Sequence, residues 1–171
     1  MQGRPQKNEA AAYFWKYIDM VEGDDPVAAL ERQLPEAVSL FARILESRSE
    51  YRYAPGKWSI RQALNHVTDT ERMFAFRALW FGRGFTEAMP SFDQDLAVAG
   101  AGADRVRWVA HVEEFRQVRL ATISLFRNMP EEAWERTGIA SGDEVSVRAL
   151  AFICAGHTAH HLAILRERYL A

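Results

Sequence analysis

The sequence predicts an all-α protein, specifically a four-helix bundle with a crossover connection. Four long segments carry apolar residues with the 3.6-residue period of an amphipathic helix, and clusters of Pro, Gly and Asp separate them. A chain of 171 residues can bury a core without a disulfide or a metal. No internal repeat, low-complexity tract or linker divides it, so we expect one bundle domain over residues 1–171.

The first long helix is predicted over residues 26–47, after a shorter amphipathic piece at residues 10–20. Pro35 falls inside it and is expected to bend or restart the helix, because proline lacks the backbone N–H. The inner apolar stripe consists of Leu30, Leu34, Val38, Phe41 and Leu45.

The second long helix is predicted to begin after Ser59 and to reach about Phe81, because Ser59 and Gln62 have the spacing of a capping box. The third is predicted over residues 104–129, with one more helical turn over residues 130–134. The fourth begins after Ser146, a suitable N-cap, and contains the remaining apolar stripe. A turn is expected before it at Gly138 and Gly142, so the whole chain is helical or turn.

The connection between the second and third helices, residues 83–103, is longer than an antiparallel bundle needs, so we expect it to cross over the bundle. It carries Phe92, Asp93 and Asp95, and we expect it to border the open end of the site described next. The alternative is that the two aspartates only cap turns.

Three of the five histidines lie in the last helix, in the segment Gly156-His157-Thr158-Ala159-His160-His161. Residues four apart face the same side of a helix, so His157 and His161 can share a metal ion. Imidazole is the commonest protein ligand for zinc and also binds nickel, copper and iron. Two nitrogens alone, however, rarely hold a divalent ion.

The third imidazole has two candidates, His66 and His111. We favour His66, because it lies on the inward stripe of the second helix at a depth similar to that of His157. Three protein ligands with one open position are typical of catalytic metal sites. A histidine satisfied within the core is the alternative for either residue.

Three further residues near these histidines, Asp69, Glu71 and Cys154, are candidates for a role in the site. Asp69 follows His66 by three residues and is our candidate for orienting that imidazole or acting as a base, with Glu71 as a second base. An exposed pair between Asp69 and Arg72 is the alternative. Cys154 precedes His157 by one turn and can act as a ligand, although a small buried core residue is the favoured interpretation.

Composition excludes several classes of protein. The formal net charge is −2 and no dense block of Lys or Arg occurs, so we expect no nucleic-acid partner. No apolar stretch is long enough to span a membrane and no signal peptide is recognised, so we expect a cytoplasmic protein. The residue after His157 is Thr158, which excludes a peptidase of the His-Glu-x-x-His type. A ferritin-like di-iron site is also excluded, because it needs two Glu-x-x-His motifs and no glutamate lies three residues before a histidine in this chain.

Three segments of the chain resemble the DinB/YfiT-like superfamily over nearly its whole length. Residues 55–72, with His66 near their end, are similar to the segment around the first metal histidine of the family. Residues 74–79 and 90–95 resemble the sequence that follows in one branch, and residues 157–165 resemble the C-terminal His-x-x-His-His run. Together these segments are specific, whereas each one alone is weak.

The resemblance implies a crossover four-helix bundle, a homodimer, and a divalent ion held by His66, His157 and His161. We expect zinc first, with nickel, manganese or iron as the other ions. Family members transfer low-molecular-weight thiols, isomerise thiol adducts or hydrolyse amides, so the implied substrate is a small molecule and the implied activity a transferase or hydrolase. The alternative is a metal-binding, dimerising stress-related protein without turnover, which the lack of a clear general base favours.

Overall fold

Four long helices form the bundle of the protein, whose computed structural model describes residues 3–171. In chain order the helices are α1 (Trp15–Ile18), α2 (Pro26–Ala42), α3 (Ile60–Gly82), α4 (Gln94–Ala101), α5 (Trp108–Arg127) and α6 (Val147–Ile164). Strands β1 (Thr137–Ala140) and β2 (Asp143–Ser146) form one antiparallel hairpin between α5 and α6. Short 3₁₀ turns lie at Lys7–Glu9, Ala12–Phe14, Ala103–Arg105 and Glu131–Ala133, and a π-helical turn, Leu165–Tyr169, follows α6.

The long helices pack so that chain neighbours are not always spatial neighbours. Helix α2 packs on α5 and α6, and α3 packs on the same two helices. The chain therefore crosses between opposite corners of the bundle twice, from α2 to α3 and from α5 to α6. The predicted fold class is confirmed, but the crossover lies elsewhere than expected, because the long connection after α3 uses its residues to form α4 and leads to the adjacent α5.

Side-chain caps begin the helices that carry the histidines. The Ser59 hydroxyl accepts a hydrogen bond from the backbone N–H of Gln62, and the Gln62 side chain accepts one from the N–H of Ser59. The Ser146 hydroxyl accepts from the N–H of Ala149 at the start of α6. Both predicted starts are confirmed, because a cap needs only residues that are close in sequence.

Helix α2 is shorter than predicted and is not broken by its proline. It ends at Ala42, and Leu45, which was expected in the inner stripe, is 72% exposed. Pro35 stays inside α2 on an exposed side, where water can hydrate the carbonyl group that loses its N–H partner. The third helix is also shorter, because residues 103–105 form a separate 3₁₀ turn before α5 begins.

The β-hairpin corrects the expectation of a wholly helical chain. Ser141 and Gly142 form its tip with φ angles of 58° and 90°, which match the right-handed twist of a two-residue hairpin. Gly138 lies within β1 rather than in a turn. A Cβ there would approach the Phe81 ring to 2.1 Å, so the packing of β1 on this ring requires glycine. Strands of four residues have too little alternation to be recognised in a sequence.

The buried apolar side chains form two clusters. One joins α1, the second half of α3, the hairpin and the first half of α6, and the other joins α2, the first half of α3 and α5 to the end of α6. Trp108 and Trp134 are buried, and Trp80 is half-buried. Among residues 3–171, no helix combines the length and hydrophobicity needed to cross a membrane.

Candidate metal centre

Three imidazole rings meet where α3 packs against α6. The Nε2 atom of His157 lies 3.2 Å from that of His66 and 3.2 Å from that of His161. One ring nitrogen from each residue fits within a group whose members are all within 4.8 Å of one another. Two nitrogens bound to one tetrahedral zinc ion at 2.0–2.1 Å are about 3.4 Å apart. The predicted convergence of the three side chains is confirmed, and metal binding itself stays a prediction.

Aromatic side chains and a hydroxyl hold these rings in place. The Trp58 ring packs on His66 with 4.8 Å between centroids, and the Tyr17 ring meets His157 edge-on at 5.3 Å. The Thr70 hydroxyl, one turn after His66, lies 3.4 Å from its Nδ1 atom. If Nδ1 carries the proton and donates to this hydroxyl, the Nε2 lone pair is left free to bind a metal.

All three rings are held in the neutral form that binds metals. Burial lowers the pKa of His66 to about 4. Burial and the nearby His66 and His160 rings lower the pKa of His161 to about 3. Burial, followed by His161 and His66, lowers the pKa of His157 well below its usual value. The rings therefore stay unprotonated at neutral pH and offer lone pairs rather than charge.

Hydrogen bonding alone does not satisfy this arrangement. The Nε2 atom of His157 faces two other Nε2 atoms, yet a neutral ring nitrogen can only donate or only accept. At most one of the two contacts is then a good hydrogen bond, unless both outer rings donate to His157 and give up their own lone pairs. A cation accepts all three lone pairs at once, so these donors fit a divalent ion.

The histidines line two pockets. The Trp58 pocket, of about 300 Å³, includes Trp58, His161 and Tyr169. The Arg77 pocket, of about 140 Å³, contains both His66 and His157. The other residues of the Arg77 pocket are Tyr13, Phe14, Tyr17, Thr70, Met73, Phe74, Arg77, Phe92, Gln94 and Ser141.

The connection after α3 borders both pockets, as predicted. Phe92 and Gln94 line the Arg77 pocket, and Asp95 lines the Trp58 pocket. Asp93 instead caps α4 by accepting hydrogen bonds from the N–H groups of Asp95 and Leu96. Phe92 and Asp95 therefore border the pockets, as expected for this connection, whereas Asp93 only caps a helix, as the alternative proposed.

The other histidines and the cysteine lie outside the three-nitrogen group. The Nε2 of His111 donates a 2.9 Å hydrogen bond to the carbonyl of Ala103, and its Nδ1 has no partner among the described residues, so His111 is a buried core histidine away from the cluster. His160 contacts Tyr17 and His161 at the edge of the group. Cys154 is buried, and burial raises the pKa of its thiol well above the usual value, which fits the interpretation of a core residue.

The two carboxylates proposed as bases have other partners. Asp69 accepts a hydrogen bond of 3.0 Å from Arg72, which is the ion pair expected if Asp69 has no catalytic role. Its role in catalysis stays a prediction. Glu71 is not free to act as a base, because both of its oxygens accept hydrogen bonds from Arg119 at 2.7 and 2.8 Å. Side chains of this pair are 1% and 0% exposed, so it is a buried structural ion pair.

Several residues of the site were missed in the sequence. Tyr13 and Tyr17 have hydroxyl groups 3.3 Å apart and come from the short N-terminal helical turns. Arg77 and Ser141 come from α3 and the hairpin tip. The only local signal was the four-residue spacing of the two tyrosines, because the other contacts join distant parts of the chain.

Fold and site together define a four-helix bundle with a three-histidine cluster at the meeting point of two helices. The sequence model of the DinB superfamily matches residues 29–165. The chain belongs to the DinB superfamily.

Solved structures show the same architecture. YfiT from Bacillus subtilis, described as a probable metal-dependent hydrolase with an unusual four-helix bundle topology, superposes with a TM-score of 0.73 at 16% identity, over 95% of this chain and 89% of YfiT. A mycothiol-dependent maleylpyruvate isomerase superposes with a TM-score of 0.67 at 10% identity, over 80% of this chain and 58% of the isomerase. No curated protein sequence gives a significant match. At these identities the structural likeness shows the fold alone.

Proposed function

We propose that this protein is a metal-dependent enzyme that acts on a small molecule, as a thiol S-transferase or a hydrolase. The observation that carries the proposal is the group of three buried, neutral imidazole nitrogens that lines two pockets. His66, His157 and His161 are the proposed ligands, and three nitrogen donors with an open position suit zinc first. Nickel, manganese and iron are the competing ions.

A bound divalent ion would supply an electrophilic centre that keeps a coordinated thiol or water ionised near neutral pH. The side chains of the protein would position the substrate and exchange protons with its reacting group. The Tyr13 hydroxyl lines the Arg77 pocket, and its hydrogen bonds with Tyr17 and Lys16 lower its pKa. We propose Tyr13 as a proton donor and acceptor for the reacting group, alongside Asp69.

Thiol transfer is the first choice of reaction and hydrolysis the second. The known mycothiol-dependent isomerase shares this fold, and YfiT, a probable hydrolase, shares it too, so each reaction has a structural relative. A soft thiolate remains nucleophilic on zinc, whereas hydrolysis needs a well-placed base for water. With Glu71 committed to Arg119, no buried carboxylate in the three-histidine group can act as that base, which favours thiol transfer.

The working assembly that we propose is a cytoplasmic homodimer. An apolar groove of about 430 Å³ lies between α3 and α5, and Phe76 on its border is 50% exposed. The remaining lining residues of this α3–α5 groove are Arg72, Ala75, Leu79, Val118, Ala121, Thr122 and Leu125. Exposed apolar surface of this kind commonly marks a protein interface, and a second copy of the same face is self-complementary in a two-fold dimer.

The test begins with metal content. Wild-type protein, His66→Ala and His111→Ala are purified, stripped, reloaded with zinc and analysed by elemental analysis. His111 is the control, because it is a buried histidine outside the cluster. We expect about one ion per chain in the wild type and in His111→Ala, and none in His66→Ala.

Activity is then measured on the loaded proteins with low-molecular-weight thiols and an electrophilic acceptor, and separately with amide substrates. Turnover that requires His66 supports the enzyme, and the preferred substrate decides between transferase and hydrolase. Metal binding without any turnover would instead support the non-catalytic metal-binding protein. Retention of metal by His66→Ala would contradict the proposed site.

A further inference from the structure

Arg77 is a buried arginine in the pocket that His66 and His157 line. It is 3% exposed, and its Nη2 atom donates hydrogen bonds to the carbonyl of Pro90 at 2.7 Å and to the hydroxyl of Ser141 at 2.9 Å. Within the described part of the chain no carboxylate pairs with it, and its Nε–H and Nη1–H groups have no protein acceptor. The cation therefore lacks a counter-ion.

A second buried arginine, Arg119, differs from Arg77 because protein atoms accept its hydrogen bonds and a carboxylate balances its charge. Arg119 is 0% exposed, and Glu71 accepts two of its hydrogen bonds, Gln33 accepts another and Thr158 a fourth. Burial would lower the pKa of Arg119, yet the charge of Glu71 raises it, whereas burial lowers the pKa of Arg77 without opposition. Buried charges are normally paired, so the unpaired Arg77 needs an explanation.

The rest of the pocket indicates what kind of anion would pair with it. Among residues 3–171, Arg77 is the only lysine or arginine that lines this pocket, and no aspartate or glutamate of that range does. Phe14, Met73, Phe74 and Phe92 supply apolar walls. The free Nη1–H and Nε–H groups can donate charge-assisted hydrogen bonds to a carboxylate oxygen, and one carboxylate balances one guanidinium, whereas a phosphate dianion would call for more positive charge.

The guanidinium is held by two segments that meet only in the folded protein. The backbone N–H of Ser141 donates to the carbonyl of Met89 at 3.1 Å, so the hairpin tip and the connection after α3 are joined beside Arg77. Ser141 reaches this position because it lies at the tip of the two-residue hairpin, where its φ of 58° is the conformation that the turn requires.

We propose that Arg77 binds the carboxylate of a small organic acid with an apolar body, whose other end faces the three histidines. Arg77 follows His66 by about three helical turns on the same side of α3, roughly 16 Å along the axis, and its side chain leans back toward the N-terminus. Thr70 and Phe74 lie between them in the same pocket. The carboxylate is thus a remote binding group, separated by several bonds from the atom that reacts.

This assignment of substrate class rests on the proposed function only in placing the reaction at the three histidines. Carboxylate binding is therefore measured in metal-free protein and in His66→Ala, where a carboxylate cannot coordinate an ion. Titration calorimetry compares benzoate with benzamide, a neutral molecule of nearly the same shape. We expect benzoate to bind at least about tenfold more tightly than benzamide.

Variants then assign the preference to Arg77. Arg77→Gln should lose at least about tenfold in benzoate affinity and leave benzamide unchanged. Arg83→Gln is the control, because it removes the same charge from an exposed residue just beyond α3. This control should bind benzoate within about twofold of the wild type.

A second measurement keeps the test valid if Arg77→Gln does not fold. In the wild type, the arginine Nε–H resonance that is missing from the spectrum of Arg77→Lys should shift when benzoate is added. Equal affinity for benzoate and benzamide, unchanged binding in Arg77→Gln, or a resonance that does not move would each overturn the proposal. Absence of metal-dependent turnover in the zinc-loaded wild type, with benzoate binding intact, would leave it standing and count only against the proposed enzyme.

Discussion

At the scale of single residues, the histidines of the cluster couple stability to pH when no metal is bound. Burial keeps the pKa of His66 at about 4, below the ordinary value of 6.5, so the unfolded chain binds a proton more readily than the folded one. Such a group contributes its full stability above pH 6.5 and loses it as the pH falls toward 4. His157 and His161 have pKa values lowered in the same direction.

We therefore expect the metal-free protein to lose stability between about pH 6.5 and 4, with His66 accounting for up to about 3 kcal/mol. Urea unfolding of wild type and His66→Gln across this range checks the prediction. The variant should show a shallower decline, since a glutamine does not titrate. Carboxylates also titrate below pH 5 but are common to both proteins. Parallel curves would show that His66 does not contribute.

At the scale of helices, the Arg119–Glu71 ion pair joins α5 to α3, and Arg119 also bonds to Gln33 of α2 and Thr158 of α6. Thr158 is the residue after His157, so this network supports the back of the candidate metal centre. A buried pair of this kind is costly to break, because removal of one partner leaves the other charge without a counter-ion.

Arg119→Met is expected to lower the free energy of unfolding by about 3–5 kcal/mol, measured by chemical denaturation. Replacing Glu71 by Leu in the same chain should recover much of the loss. Arg116→Met is the control, since Arg116 lies on the same helix in an exposed pair with Glu113, and it should have little effect. A double variant as unstable as the single one would show that the charge imbalance is not the cause.

The contact between α1 and α6 depends on a glycine. A Cβ at Gly156 would lie 2.0 Å from the carbonyl oxygen of Tyr17, which is backbone and has no rotamer to adjust. Tyr17 packs on His157, so the spacing of these two helices also positions a ring of the site.

Gly156→Ala is therefore expected to destabilise the protein by about 1–3 kcal/mol, as overpacking does. Gly100→Ala in α4 has open space around the new methyl group and should be neutral or stabilising, because alanine favours a helix more than glycine does. Thermal or chemical unfolding of both variants gives the comparison. Equal effects at the two positions would refute the role of close packing at Gly156.

At the scale of the whole molecule, the proposed homodimer is tested at the α3–α5 groove. Phe76→Glu places a charge on its exposed border and should convert the dimer to a species of 19.5 kDa in sedimentation experiments. Leu96→Glu on α4 is the control, because Leu96 is 74% exposed and lies outside the groove. A wild type that sediments only as a monomer at micromolar concentration would contradict the dimer.

The sequence alone determined the features that depend on nearby residues. Apolar periodicity and the caps at Ser59 and Ser146 were sufficient to predict the starts of α3 and α6. The pair His157 and His161 could be recognised because four-residue spacing on one helix places two rings on the same side. The inward position of His66 then made it the better third candidate, and the structure brings its Nε2 atom within 3.2 Å of His157.

Only the tertiary structure decided which distant residues share the site. Packing of α3 on α6 brings the histidines together, while Tyr13, Arg77 and Ser141 join them from three separate parts of the chain. Glu71 resembled a base in the sequence and became half of a buried ion pair, because its partner Arg119 lies on another helix. The short hairpin was missed because strands of four residues carry too little alternation. The position of the crossovers was missed for the same physical reason as the partner of Glu71, since long-range packing energy leaves no periodic pattern in the local sequence.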